Sequence, residues 1–582
     1  MTTNAFNSQK AKGQYFTPES LVQSFISRIL TYFFQDCKIG KIKVLDPATG
    51  EGIFLETLIP LIKPFIGNAV FYGIDIDSEA LKKAEVRLYP LAQSYSYDIT
   101  LKARNFFLEF PKKKNKDKFD LILGNPPHAA RYTKSDWDLI QNTVQSTDYP
   151  RLRFESSVYF VLHSLNLIKI GGLLGFILPK PIIYSKRWTK FRKSLLLTNN
   201  LLEVLDLGNQ FSGQLQEQIG IIIQKQKPNL HFKTGYWSRN NKTFRFSPPL
   251  PIKVVVELDN LLVGVNQNEL AIIYRLYGDE YKFLDIIAFR GLNSKYRVSN
   301  SNIPLIEKRS IGNGFLLPPR HYVKSDLPDR IIQRQQKPKI IAHRIIGYRT
   351  QPSFLLNLNT WVDQKGEIIT HETVINIIPR YPQIYSLSSI AGLIQSSFVE
   401  WWLRHAVYTK RFVTSKDFDN DYISRIRVPR HLGLVNHRYR KLLKKFLSNG
   451  NFNPILQNIE NQSNLDKIYT IGKIYEEFQR TGEILKNKMI NLLQKKSEIK
   501  SLKRIDKQNK EFHKIKWLIR QLHKNGNIFE DSNSLNQLEY KNVKEEYENL
   551  KQYRYYIDQV VYSLYKITPE ERRIIEVDKD GL

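Results

Sequence analysis

The chain has 582 residues, 42% hydrophobic and 12% aromatic, with one cysteine, Cys37. That length exceeds one core and predicts two to four domains, while a single cysteine excludes an intrachain disulfide framework or a multi-thiolate metal site. The net charge of +32 divides as +10 over residues 1–230, +13 over 231–430 and +9 over 431–582, so a polyanion is the expected partner, nucleic acid first, against a merely lysine-rich solvated surface.

The start of the chain is polar, so no signal peptide is expected. No run approaches the ~18 apolar residues of a membrane span. The nearest, IGGLLGFILPKPII, is broken by Pro179, Lys180 and Pro181. A soluble protein of a reducing, cytoplasmic compartment is expected.

Residues 1–230 alternate strand and helix patterns. KVLDPATG opens on a short apolar run, passes through glycines and leads into IFLETLIPLI at helical spacing. VFYGIDID is a second strand followed by the helical SEALKKAEVRLY. FDLILG is a third strand, FESSVYFVLHSLNLI a helix, GGLLGFILP a fourth strand, and LLEVLDLG and IGIIIQKQ two more. Such alternation predicts a mostly parallel sheet with helices on both faces. PKKKNKDK (Pro111 to Lys118) reads as a solvated loop.

Residues 231–430 change texture. Short β-branched and aromatic stretches are broken by Pro, Asn and Gly, and SLSSIAGLIQSSFVEWWLRH has helical spacing. Residues 431–582 read as long charged helices, among them EFHKIKWLIRQLHK and YRYYIDQVVYSLYKITPEERRIIE, with NGNIFEDSNS between. No internal repeat is visible.

Chemistry concentrates at two strand ends. In LDPATGEGIF, Gly50 and Gly52 follow a strand and precede a helix, letting backbone approach a ligand closely. N–H groups at a helix start attract a carboxylate, and Asp46 stands ready to accept from an ammonium. The next strand ends in Asp75, placed to accept from two ribose hydroxyls. An amino acid joined to a ribose is S-adenosylmethionine; the alternative is an ordinary βα turn with capping acids. The second strand end is GNPPH. Prolines cannot continue a central strand, so Asn125 stands at its tip, ahead of Pro126, Pro127 and His128.

These segments together resemble the amino-group DNA methyltransferases of the N6-adenine type, with the cofactor half first and the target domain last, as in restriction-modification methyltransferases. The resemblance is carried by GQYFTPESLV, DPATGEGIF, GIDID, ARNFF, NPPH and DLGNQFSGQLQEQIGIII, in that order, with the final IDQVVYSLYKITPEERRIIE. It implies an α/β architecture: a Rossmann-like S-adenosylmethionine-dependent methyltransferase domain over 1–230, a mixed α/β target recognition domain over 231–430, and a helical C-terminal region over 431–582. It assigns Thr17, Pro18, Asp46, Ala48 and Gly50 to the methionine end of the cofactor, Asp75 to the ribose and Asn105 to the adenine. Asn105 stands where the family usually has Asp and accepts without charge assistance. The catalytic residues would be Asn125, Pro126, Pro127 and His128, with Asn125 also bordering the cofactor.

In that chemistry an adenine amino group is a poor nucleophile until acceptors draw on its two hydrogens. The Asn125 side-chain carbonyl and the Pro126 backbone carbonyl supply them, held by the diproline. No metal is needed. The base must leave the duplex; His128 would stack on one face, where the family usually has Tyr, Phe or Trp, and Phe211 on the other. His343, Arg344, Tyr348 and Arg349 mix basic and aromatic groups suited to phosphates and base edges; a basic surface strand is their plain alternative. The implied function is site-specific adenine methylation of double-stranded DNA in a bacterial or archaeal cell, in restriction-modification or phage defence, with a cognate restriction endonuclease as a partner. Alternatives are N4-cytosine methylation, methylation of protein glutamine, and a DNA-binding subunit with little catalysis. No nuclease signature of the acid plus Glu-x-Lys type stands out; PDRIIQRQQK lacks the second acid.

Overall fold

The computed structural model describes residues 18–36, 40–110, 118–127, 133–144, 156–209, 217–238, 240–325, 327–347, 356–410, 416–448, 452–495, 515, 518 and 534–580. Thr17, Cys37, His128, Phe211, Tyr348 and Arg349 lie outside them, as do residues 111–117 and nearly all of EFHKIKWLIRQLHK. The chain forms two compact units: residues 1–270 with 405–414, and residues 271–404 with 415–582.

The first unit is built on one ten-stranded sheet. Its main strands are β1 (Ile42–Asp46), β2 (Ala69–Asp75), β3 (Asp98–Ala103), β4 (Phe119–Gly124), β5 (Ile168–Pro179), β6 (Asn200–Gly208), β7 (Gln218–Gln224) and β8 (His231–Ser238). Their spatial order is β8-β6-β7-β5-β4-β1-β2-β3. Pairing is parallel from β3 to β5. The expected mostly parallel sheet is therefore qualified at two places: β7 lies antiparallel between β5 and β6, and the short strands Thr243–Phe246 and Leu250–Pro251 pair antiparallel with β8. A strand that follows its neighbour without a crossover helix returns in the opposite direction. The sheet also continues past residue 230 through β8, which runs parallel to β6.

Chain order reverses between β1 and β4. The chain leaves β1 for β2 and β3 on one side, then returns to β4 on the other. At such a switch point the connections diverge and leave a crevice beyond the carboxyl ends of the strands, where α/β sheets bind ligands. Asp46 ends β1 and Gly124 ends β4, so both sequence-read strand ends open into that crevice.

Helices α1 (Glu19–Asp36), α2 (Ile53–Ile62), α3 (Ser78–Ser94), α4 (Phe106–Glu109) and α5 (Ser157–Leu167) accompany the sheet. The apolar residues of α1 recur at helical spacing, and Leu21, Val22, Phe25, Ile26 and Ile29 are fully buried. Two glycines on adjacent strands make room for them. A methyl at Gly175 would lie 2.2 Å from Ile29 Cδ1, and one at Gly220 2.7 Å from Phe25 Cε2. Each such side chain removed from water contributes about 1.5–3 kcal/mol, which is what holds α1 to the sheet.

Residues 405–414 belong to this unit although the neighbouring chain does not. The buried Asn260 side chain donates to the carbonyls of Ala406 (2.9 Å), Val407 (3.2 Å) and Tyr408 (3.0 Å), and Lys410 pairs with Glu269.

The second unit contains an antiparallel sheet of β9 (Ile286–Arg290), β10 (Lys339–His343), β11 (Thr360–Asp363) and β12 (Val374–Pro379), in the order β9-β12-β10-β11. Its helices include α6 (Leu387–Gln395), α7 (His437–Ser448), α8 (Asn464–Lys495) and α9 (Ser534–Leu564). The long helix expected around SLSSIAGLIQSSFVEWW is two helices. Ser396 takes an extended conformation and its hydroxyl accepts from the Val399 N–H, restarting the helix. A local serine cap competes successfully with helix continuation. Among the described residues no helix is long and apolar enough to cross a membrane.

Candidate active site

The first wall of the crevice is the turn after β1. Gly50 and Gly52 adopt φ of 54° and 92°, a left-handed backbone that disfavours larger residues. Their surroundings differ. A methyl at Gly52 would press on Leu88 Cδ1 at 2.9 Å, whereas nothing lies within 4 Å of one at Gly50. Gly52 is thus needed for packing against α3, while Gly50 faces open space.

Asp46 is wholly buried at the tip of β1. Its Oδ1 accepts from the Ala48 N–H at 3.1 Å, and its Oδ2 has no hydrogen-bond partner. Burial, with the nearby Asp75 charge as a lesser cause, pushes its carboxyl up to about 8. A buried carboxyl oxygen with no donor awaits one.

Asp75, at the tip of β2, accepts from the Gly50 N–H at 2.7 Å through Oδ2 and from the Asp77 N–H at 2.9 Å through Oδ1. Burial raises its carboxyl, and these two N–H groups oppose that. Asp75 therefore braces the glycine turn; each oxygen keeps a second lone pair. Asp77 caps α3 by accepting from the Glu79 and Ala80 N–H groups. Between these acids Ile76 is 71% exposed, an apolar side chain projecting from a turn of acids. Sequence reasoning missed it, because the run of apolar residues in VFYGIDID does not show where the strand stops.

Asn105 precedes α4 and its side-chain oxygen accepts from the Phe107 N–H at 2.9 Å. It is a helix cap in this structure, with one acceptor position left on the same oxygen. Phe106 is buried and stacks on Phe160 of α5, centroids 5.2 Å apart and planes at 17°. That contact ties the β3 end to α5.

The second wall is the β4 tip. Gly124 is buried, and a methyl there would sit 2.6 Å from Asp46 Oδ1. Asn125 follows, half-buried, then the buried Pro126 and half-buried Pro127. Ser156, just before α5, donates from its hydroxyl to the Pro127 carbonyl at 2.6 Å. The diproline is therefore anchored at both ends, by the β4 ladder and by α5. Pro18 stands just ahead of α1, its carbonyl accepting from the Leu21 and Val22 N–H groups.

The structure brings Asp46, Ala48, Gly50, Asp75 and Asn125 to the ends of three adjacent strands. It does not place His343 on a surface. That ring is 6% exposed, against the Ile311 carbonyl at 3.2 Å, and burial pushes its imidazole down to about 4. This corrects the expectation of a base-edge contact there, because β10 is buried on both faces. Arg344, beside it, reaches Asp417 at 3.4 Å with its side chain 21% exposed. Among the described residues no group of three or more His, Cys, Asp or Glu gathers where it could hold a metal.

Residues 1–244 match the sequence model of the family described as N-6 DNA Methylase. The chain is 28% identical over 231 residues to the type II methyltransferase M.VspI of a Vibrio species, covering 40% of this chain and 52% of that protein. It is 20% identical over 575 residues to M.BstVI of Geobacillus stearothermophilus, covering 83% and 99%, and 28% identical over 268 residues to M.BanIII of Aneurinibacillus aneurinilyticus, covering 44% and 45%. The chain thus spans about half the length of two of these three relatives. A solved structure of the type IIL restriction-modification enzyme MmeI in complex with DNA overlays with a TM-score of 0.45 at 11% identity, over 94% of this chain and 76% of that one. The range matched by that family model contains every strand tip described above.

Proposed function

We propose that the protein is a site-specific DNA methyltransferase of restriction-modification type, which methylates N6 of an adenine turned out of duplex DNA. The observation that carries this reading is the apposition of the β1 and β4 tips. The buried, donor-seeking Asp46 carboxyl lies so close to Gly124 that only glycine fits, and Asn125 is the next residue. A cofactor amino group held at Asp46 is thereby tied to the position of the catalytic amide.

The residues fit S-adenosylmethionine. Asp46 would take its ammonium, the Ala48–Gly50 turn its carboxylate, Asp75 its ribose, and Ile76 and Asn105 its adenine; Thr17 and Pro18 would border the methionine end. When bound, this cofactor supplies an electrophilic methyl on sulfur. The rest is done by the chain. Asn125 Oδ1 and the Pro126 carbonyl each accept one N6 hydrogen, shifting the amine toward sp³ so that its lone pair is available. Pro126 has no N–H to compete, and Ser156 holds the diproline in place. The nitrogen gains the methyl as the carbon–sulfur bond breaks, leaving a thioether, and then gives up one proton to solvent. Positioning and fixed dipoles, rather than a general base, provide the rate. His128 and Phe211 would sandwich the base. We assign target recognition to residues 231–430, with Arg344, Tyr348 and Arg349 as contacts, support to the helices of 431–582, and a cognate endonuclease as partner in a cytoplasmic system.

The test is modified-base sequencing of DNA from cells expressing the chain. N6-methyladenine at one short motif is expected. Asn125→Ala should lower methyl transfer by 100-fold or more, by analogy with loss of a single aimed dipole, while S-adenosylmethionine binding stays within about threefold. Unmodified DNA, N4-methylcytosine, or methyl transfer to protein glutamine would each overturn the adenine assignment.

A further inference from the structure

Helix α7 in the second unit has the sequence HRYRKLLKKFLS. It holds five Lys and Arg residues, one His and no acid. One face is committed to its own unit. Tyr439, Leu443 and Leu447 are buried at four-residue steps. The Tyr439 hydroxyl meets Thr470 Oγ1 at 3.0 Å, and the Arg440 guanidinium binds the buried Asp466 at 2.6 Å. The N-terminus is capped: Asn436 Oδ1 accepts from the Tyr439 N–H, and its own N–H donates to Asp466. The helix is thus held rigidly by its apolar side.

The other face is different. Arg438, Lys441, Lys444 and Lys445 are exposed, and no acidic side chain pairs with them among the described residues. At 3.6 residues per turn they fall within an arc of about 120°, over about 10 Å of axis. The other helices of the unit do not look like this. On α8, Lys473, Arg480 and Lys486 pair with Glu476, Glu477 and Glu483, and on α9 Lys551 pairs with Glu548. Those are ordinary solvated faces with interleaved signs. Nor does the stripe serve its own helix, because Arg438 sits in the first turn, where the macrodipole disfavours positive charge.

We propose that the exposed stripe of α7 is a phosphate-contacting surface for duplex DNA. This rests on the DNA-methyltransferase reading above and adds where the duplex backbone is gripped. A duplex presents one negative charge per about 1.7 Å of axis, so a 10 Å row of cations faces several phosphates at once. Phosphate contacts of this kind give affinity and register without reading sequence. An anionic membrane is the less favoured partner, because the apolar face of α7 that would insert is already buried.

The experiment uses the full chain and a 30-base-pair duplex, with binding measured by fluorescence anisotropy across a salt series. One variant carries Arg438→Gln, Lys441→Gln and Lys445→Gln. A control carries Lys541→Gln, Lys544→Gln and Lys551→Gln on α9, where glutamates share the surface. Loss of about three phosphate contacts should make the slope of log affinity against log salt shallower by about 2–3. Binding at 0.1 M salt should weaken more than tenfold. The control should keep the wild-type slope, and both variants should retain the wild-type melting temperature and S-adenosylmethionine binding. Wild-type binding to duplex with an unchanged slope in the α7 variant would overturn the surface alone. Equal losses in both variants, or preferential binding of wild type to phosphatidylserine vesicles, would overturn it too. Failure of the wild type to bind any duplex would overturn the methyltransferase reading itself.

Discussion

The strand tips of the first unit and the outer face of α7 both gather charge, with opposite logic. At the tips, the buried Asp46 and half-buried Asp75 carboxyls are braced by backbone N–H groups, and Gly124 leaves Asp46 no room for a neighbouring side chain. On the outer face of α7, Arg438, Lys441, Lys444 and Lys445 stand in water with no acidic partner among the described residues. A buried group acts through geometry, and one displaced atom matters; an exposed row acts through its summed field and is screened by salt. Substitutions should therefore behave differently in the two places: steep and non-additive at the tips, gradual and additive on the helix.

The steepest break should come from Gly124→Ala. Its methyl would press on the Asp46 carboxyl from 2.6 Å, costing about 1–3 kcal/mol of stability. We expect S-adenosylmethionine affinity to fall about 100-fold by calorimetric titration, together with a lower melting temperature. Wild-type affinity in this variant would uncouple the two strand tips.

The protonation of Asp46 sharpens the contrast next. Its carboxyl titrates near 8 in the folded chain, against the ordinary value of 3.8. The folded state thus holds a proton that the unfolded state releases. Asp46 contributes most to stability below about pH 4, and that contribution is lost as pH rises through about 8. Asp46→Asn should melt above the wild type, with the gap widening from pH 4 to pH 8. An ammonium placed beside Asp46 draws it into the ionised form, so cofactor binding at pH 7 should release close to one proton, read by calorimetry in buffers of different ionisation heat. At pH 9 the release should vanish, and Asp46→Asn should show none at either pH.

Ser156→Ala should have the smallest effect. Losing one hydroxyl–carbonyl bond to Pro127 is worth about 0.5–1.5 kcal/mol, so kcat should fall about three- to tenfold with KM for DNA unchanged. A change in KM alone would mean that Ser156 shapes the DNA path rather than the diproline.

Much of this was legible in the sequence where the signal is local. Strand end, acid, glycines and helix start follow one another over Leu45–Ile53, and GNPP announces its own strand end. What escaped was set by distance or by burial on two sides. The antiparallel placement of β7 depends on which neighbours close over it. His343 sits in KIIAH, where all five residues are buried, so alternation gave no clue to its facing. The stripe of α7 is visible in the sequence only as charge; that its four exposed cations have no acidic partner among the described residues depends on tertiary placement.

The return of residues 405–414 to the first unit has a consequence for how the chain can be cut and recombined. Asn260 gathers three carbonyls from a stretch that begins 135 residues after residue 270. A fragment ending at residue 270 would leave that amide buried without acceptors. The chain passes between units three times, so exchanging the second unit for that of a relative requires three junctions rather than one.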